Sequence, residues 1–347
     1  MASTYKTLDQ VEARRPIDDV FTPGSATARH VISSSGSYYL TGPLTVSGVD
    51  TAIEVRAPNV TIDLNGYTVS SSTLFGQAQS GIIVAAGVPD AVVGGTLTVK
   101  NGVITGFASR GVGTFDADDS LILREVVFKE NANGVSSLGD CDARGCLFIR
   151  NTGTGISTGR GSIVRDCRAL ENGGIGINVF GGYAEGCVAS RNGLDGISVG
   201  GLDGGDDEWA SVARHNVINN NGDFGVSGLN AMIEHNAIAG NGAGGIRTQT
   251  IQAGSFNADG VIAHNFLRGN GTLATEAAIV MLGSHYRIDS NTITRSPVGV
   301  GGTADDTVVT RNTFDETPTI SLLGAGNVLG LLGTDYSTDR AWQNIEQ

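Results

Sequence analysis

Acidic and aromatic side chains crowd one stretch of this chain: Asp203, Asp206, Asp207, Glu208 and Trp209 all fall within residues 200–210. Neighbouring carboxylates do two kinds of chemistry. At the right separation they act as general acid and base, and gathered on one point they hold Ca²⁺ through hard oxygen ligands. A Trp beside them adds a flat apolar face for stacking. A second stretch, residues 247–257, carries Arg247, Gln249 and Gln252, and its guanidinium suits a carboxylate. Between the two lies a tight turn with Ser227 and Asn230, and further on His285 and Tyr286 form a pair able to take or give a proton. Adjacent acids also occur at Asp118-Asp119 and Asp305-Asp306. Sequence proximity therefore does not by itself single out Asp206-Asp207.

Something must position these groups, and composition narrows what it is. The 347 residues include 52 glycines, about 15 % against roughly 7 % in ordinary proteins. Hydrophobic residues make 40 %, enough for a sizeable core, and neither a collagen-like period nor a long Pro/Ser tract supports a fibrous or disordered chain. The formal net charge of −13 repels nucleic acid and anionic membrane surfaces, and no Lys/Arg run offsets it. No apolar stretch approaches the roughly 20 residues of a membrane helix. The start, Met1–Lys6, lacks the apolar core of a signal peptide, so an extracytoplasmic address would require a leader outside this sequence. Composition stays even from the fifties to the 320s, which reads as one elongated domain.

A fixed period decides the architecture. A Gly/Ala-Ile/Val pair places its apolar member at Ile53, Ile82, Val112, Val135, Ile156, Ile177, Ile197, Val226, Ile246, Ile279 and Val300, and the same position without the glycine falls at Ile320. The basic interval is 20–21 residues, with longer excursions in four places. A second register confirms it. Cys146, Cys167, Cys187, Asn216, Asn236, Asn265, Asn291 and Asn312 share one position; five residues on stand Asn131, Asn151, Asn172, Asn192, Asn221, Asn241 and Asn270, then Ser296 and Thr317. Apolar spacing by two, broken every few residues by Gly or Asn, gives short strands and bends. Units of about 21 residues with three short strands are turns of a solenoid, stacked about 4.8 Å apart so that equivalent residues form columns. The expected fold is all-β: a single-stranded right-handed parallel β-helix of about 11–12 turns. Residues 1–30 are expected to cap one end, with a short helix starting at Thr7–Gln10, residues 31–328 to form the β-helix, and residues 329–347, with Trp342, to cap the other.

Columns also give bland explanations. The three cysteines alternate with Asn at one position, which reads as a buried thiol column, and no C-x-x-C spacing supports zinc. His215, His235 and His264 fall on three successive turns, so their rings are expected about 5 Å apart on the outer face, a polar column before a metal site. The charges at 144, 165, 185, 214 and 234 form a surface column.

The repeat units, together with the opening segments Ser35–Gly42 and Asn59–Gly66, resemble the pectin-lyase-like right-handed parallel β-helix superfamily, specifically bacterial parallel β-helix repeat proteins, over roughly residues 31–328. That resemblance implies polysaccharide lyases, glycoside hydrolases, uronan epimerases, phage depolymerases and proteins without known chemistry. Asp206-Asp207 is similar to the paired aspartates of polygalacturonases, but their Asn-Thr-Asp, His-Gly and Arg-Ile-Lys motifs are absent, as is the Asp-Pro-His signature of mannuronan epimerases. Long loops on a solenoid lie on its binding face. Residues 200–210 and 247–257 are expected to wall a trough, with Ser227 and Asn230 on its floor and His285 and Tyr286 within reach. An extended polysaccharide or oligosaccharide fits such a trough, with the acids, Arg247, His285 and Tyr286 as catalytic candidates and Ca²⁺ as the cofactor the acids could hold. A lyase or uronan epimerase is the leading expectation. A hydrolase with paired carboxylates and a non-catalytic adhesive or phage-spike-like solenoid, as a homotrimer, are the alternatives. A uronan would meet long-range repulsion unless Arg247, Arg160 or bound cations reverse the local sign, so a neutral glycan is also open.

Overall fold

A computed structural model describes residues 14–48, 51–72, 79–85, 95–200, 211–248, 260–316, 320–330, 332–333 and 344–346. No helix occurs among them. Each turn carries strands in two parallel sheets, as in Ser211–Arg214, Val217–Asn219 and Phe224–Gly228. In most turns the first two strands stack into a 26-stranded sheet that folds round a corner, single long strands Thr96–Thr105 and Ser120–Lys129 take both places in two turns, and the last strand of a turn stacks into a 13-stranded sheet. The chain is thus a right-handed parallel β-helix of about 12 turns. Stacking already includes Arg14–Pro16, paired with Ser37–Tyr39, and Ala28–Ile32, paired with Thr51–Val55.

The periodic Ile/Val residues are the spine of the core. Ile197, Val226, Ile246, Ile279, Val300 and Ile320 pair in register along the third strands, and all but the last are fully buried. Where a glycine precedes this residue it is a matter of space: a Cβ on Gly225 would meet the Ile238 side chain at 2.5 Å and the Asn241 amide at 2.9 Å.

Two bends join the strands of each turn, and their work is divided between adjacent residues. Left-handed angles fall on the residue before the asparagine: His215 (φ 56°), His235 (55°) and His264 (56°) at one bend, Arg191 (54°) and Asn220 (55°) at the other. The asparagine itself points inward and joins turns. Asn221 Nδ2 donates to Asn241 Oδ1 at 2.9 Å and to Ala189 O at 3.2 Å, while its Oδ1 accepts from the backbone N–H of Asn192 at 3.0 Å and from Asn192 Nδ2 at 2.9 Å. Left-handed strain at non-glycine residues is thereby offset by a continuous buried hydrogen-bond ladder. The four cysteines are buried free thiols, and burial pushes Cys187 up to about 12.

Candidate functional site

The outer face of the 13-stranded sheet is polar along its middle. Ser136, Ser157, Asn178, Ser198, Ser227 and Arg247 succeed one another in register, one per turn. Strand alternation puts these side chains outside while their Ile/Val neighbours fill the core. Both long segments singled out above follow third strands of this sheet, Ile197–Val199 and Gly244–Thr248.

Arg247 is the centre of a cluster at one end of this column. Its Nη2 donates to Asp195 Oδ2 at 3.3 Å and to Ser227 Oγ at 3.1 Å. The guanidinium carbon lies 4.4 Å from the centre of the Phe224 ring, and Nη1 lies 4.0 Å from Asp223 Oδ2. Asp195 is buried and completes the arrangement, accepting from Ser227 Oγ at 2.7 Å and from the Phe224 N–H at 3.0 Å. Each contact crosses from one turn to another, so the stacking itself assembles the cluster. Arg247 Nε is buried with no acceptor among the described residues.

Asp223 is the more open of the two carboxyl groups in the cluster. Burial raises its pKa above the ordinary carboxylate value, the charge of Asp195 raises it further, Arg247 opposes the rise and Glu276 adds to it. Its side chain is 35 % exposed. It is therefore a carboxyl that keeps its proton to higher pH than an ordinary aspartate and still reaches solvent, the property a general acid or base requires.

The expected site residues divide as follows. Arg247 and Ser227 are brought together, but the guanidinium is engaged by Asp195 rather than standing free. Asn230 ends the connection from Phe224–Gly228, with φ 48° and a buried Oδ1 that has no donor among the described residues. His285 takes the residue before a first strand, as Asn230 does two turns earlier, and its Nε2 lies 3.6 Å from Asp306 Oδ2. Tyr286, expected on the trough face, lies inside: it is 1 % exposed and belongs to the core, because alternation turns the first residue of this strand inward. Its ring uses the room left by Gly260, where a Cβ would collide with Cε1. Asp203, Asp206, Asp207, Glu208, Trp209, Gln249 and Gln252 lie outside the described residues. Among the described residues, no three His, Cys, Asp or Glu side chains already converge on a point where a metal ion could sit.

Asp195, Asp223 and Phe224 did not stand out in the sequence. A signal for Asp195 was present: in the column before each Gly-Ile pair it takes the place held by Thr154 and Ile175 on the preceding turns, where nothing in the repeat demands a charge.

No family model matches the chain, and no curated protein matches it. Solved structures do. Two single-residue variants of the periplasmic alginate epimerase AlgG are each similar at 11 % identity and TM-score 0.54; the matches cover 91 % of this chain and 84 % of that one, and 93 % and 83 %. The A-module of Azotobacter vinelandii mannuronan C-5 epimerase AlgE6 matches at 14 % identity and TM-score 0.49, over 92 % of this chain and 88 % of that one. What the AlgG matches share with this chain is the right-handed parallel β-helix fold. No helix among the described residues is long and apolar enough to cross a membrane.

Proposed function

We propose that this chain is a carbohydrate-active β-helix that binds an extended polysaccharide or oligosaccharide along the polar outer face of the 13-stranded sheet. Its reaction is proton transfer on a sugar ring, as in a polysaccharide lyase or uronan epimerase. The observation that supports this reading is the half-exposed Asp223 carboxyl, held above its usual pKa 4.0 Å from the fixed Arg247 guanidinium. In a uronate, removing the C5 proton gathers negative charge on the carboxylate, which a nearby cation stabilises. In this reading Arg247 does that electrostatic work, and Asp223 gives or takes the proton. A second proton-transfer group on the opposite face of the sugar is assigned to Asp206, Asp207, Glu208 or His285, with Trp209 as a stacking face. Ca²⁺ belongs with the acids of residues 203–208, and no step here passes through it.

One observation favours a second reading, a glycoside hydrolase: Asp195 and Asp223 are two carboxyl groups around one cation, and only Asp223 is half open. A glycan panel separates the readings. Because the net charge of −13 repels polyuronates at long range, the panel includes neutral polymers. A lyase yields ultraviolet absorbance from an unsaturated uronate, an epimerase changes the uronate ratio without new ends, and a hydrolase yields reducing ends without absorbance. On the responsive glycan, Asp223→Asn lowers kcat by about 10²-fold or more with the fold intact. Full activity in Asp223→Asn removes the assigned role, and no change in any glycan leaves the non-catalytic solenoid as the answer.

A further inference from the structure

On the other side of the solenoid, the first bend of the 26-stranded sheet carries His215, His235 and His264 as a stacked ladder. Ring centres are 5.3 Å and 5.0 Å apart, with planes inclined by 26° and 24°. All three share one left-handed backbone conformation, so their side chains leave the bend in parallel. His215 and His235 are 57 % and 48 % exposed. Small residues, Gly186 and Ser290, take this column on the turns before and after, which leaves both ends of the stack open.

The bend does not demand imidazole. Its equivalent positions hold Asp166, Gly186, Ser290 and Arg311 at the same angles, and the second bend uses Glu, Arg, Asn and Gly. Three imidazoles in succession thus need a cause other than the backbone. Carboxylates stand behind two of them: Glu185 Oε1 is 3.9 Å from His215 Nδ1, and Glu234 Oε2 is 3.9 Å from His235 Nδ1. Arg165 and Arg214 already pair with Glu185, so Glu234 is the freer of the two. These carboxylates lie beyond hydrogen-bond distance, but they place negative charge beside the imidazoles, which favours a bound cation.

We infer that the His215–His235–His264 ladder is a binding site for a borderline divalent transition-metal ion, Zn²⁺ or Cu²⁺, held by imidazoles from successive turns. Nitrogen ligands favour these ions over Ca²⁺ or Mg²⁺. With metal–nitrogen bonds of about 2.0–2.1 Å, two ligands of a tetrahedral ion lie about 3.3 Å apart. Rings on neighbouring turns must therefore tilt toward each other. The half-exposed His215 and His235 side chains have room toward solvent for this tilt. His235 belongs to both neighbouring pairs and is the central ligand. An ion so held ties adjacent turns together on the face opposite the Arg247 cluster, so the inference is independent of the proposed reaction.

The test uses the whole chain with Zn²⁺ by calorimetry, and with Cu²⁺ by electron paramagnetic resonance, which reads nitrogen coordination directly. His235→Asn keeps a residue suited to the left-handed bend and so preserves folding. The expected result is binding that survives a large excess of Ca²⁺, nitrogen coupling in the Cu²⁺ spectrum, at least tenfold weaker Zn²⁺ binding in His235→Asn, and a smaller loss in His264→Ala, which retains one pair. A higher thermal midpoint with Zn²⁺ in the parent and not in His235→Asn supports the same site. No Zn²⁺ binding by the parent, equal affinity in His235→Asn, or a Cu²⁺ spectrum with oxygen ligands alone overturns it.

Discussion

Removing the charge of Asp195 is the sharpest probe of how Arg247 is held. Asp195→Asn keeps the side-chain shape and an oxygen for the Phe224 N–H, but Arg247 Nη2 loses the carboxylate at 3.3 Å and keeps Asp223 at 4.0 Å from Nη1. At an effective dielectric constant of about 20, a unit pair at that shorter distance attracts by about 5 kcal/mol. Desolvation offsets part of this, and breaking a buried pair by removing one partner typically costs about 3–5 kcal/mol. Because Arg247 is 27 % exposed, the lower end applies: Asp195→Asn is expected to lose about 3 kcal/mol. Arg247→Met removes the other partner. If the two side chains act as a unit, the double variant loses less than the sum of the singles by about 2 kcal/mol. Urea unfolding followed by circular dichroism measures all four corners of the cycle, and hydrogen exchange at the Phe224 amide reports whether the local bond survives in Asp195→Asn. Additivity within about 0.5 kcal/mol would refute the reasoning. Arg247 would then be a free guanidinium waiting for a ligand, as the sequence alone suggested.

Two further outcomes follow from the same structure. Hydrogen bonds from Arg311 and Arg287, opposed by burial, hold Asp289 down at about 2 from an ordinary 3.8. The native chain thus binds this proton less readily than the unfolded chain, and the resulting stability is complete above the ordinary carboxylate range and lost as pH falls toward about 2. Asp289→Asn should flatten the acid limb of unfolding free energy against pH in that window; parallel limbs for parent and variant would remove the assignment. In the ladder, Asn221→Ala orphans the buried Asn192 N–H and one Asn192 Nδ2 hydrogen, besides losing the bonds to Asn241 and Ala189. At about 1–3 kcal/mol for each orphaned donor, a loss of about 3–5 kcal/mol is expected by urea unfolding. A loss below about 1 kcal/mol would show that the ladder does not join the turns.

The fold was legible because a solenoid repeats its local problem. Most turns offer an inward Ile or Val, a glycine or alanine before it and an asparagine at the corner, so Ile197, Val226 and Ile246 announce their register at a distance. The histidine spacing of about 5 Å was legible for the same reason. The division of labour at the corner was not: Asn looks able both to bend and to bridge, and only backbone angles show that His215 bends while Asn216 bridges. Tyr286 misled because a His-Tyr pair in a bend looks exposed, whereas the strand begins on an inward position.

Periodicity along the chain determined the parallel β-helix, its in-register core column and the face on which long connections emerge, since these follow from residue type repeated at a constant interval. The Arg247 cluster was decided by tertiary structure. Asp195 and Arg247 are 52 residues apart and Asp195 and Ser227 are 32 apart. Neither separation carries meaning until turns of unequal length are stacked, because contact depends on the coil each residue occupies and not on the residues between them.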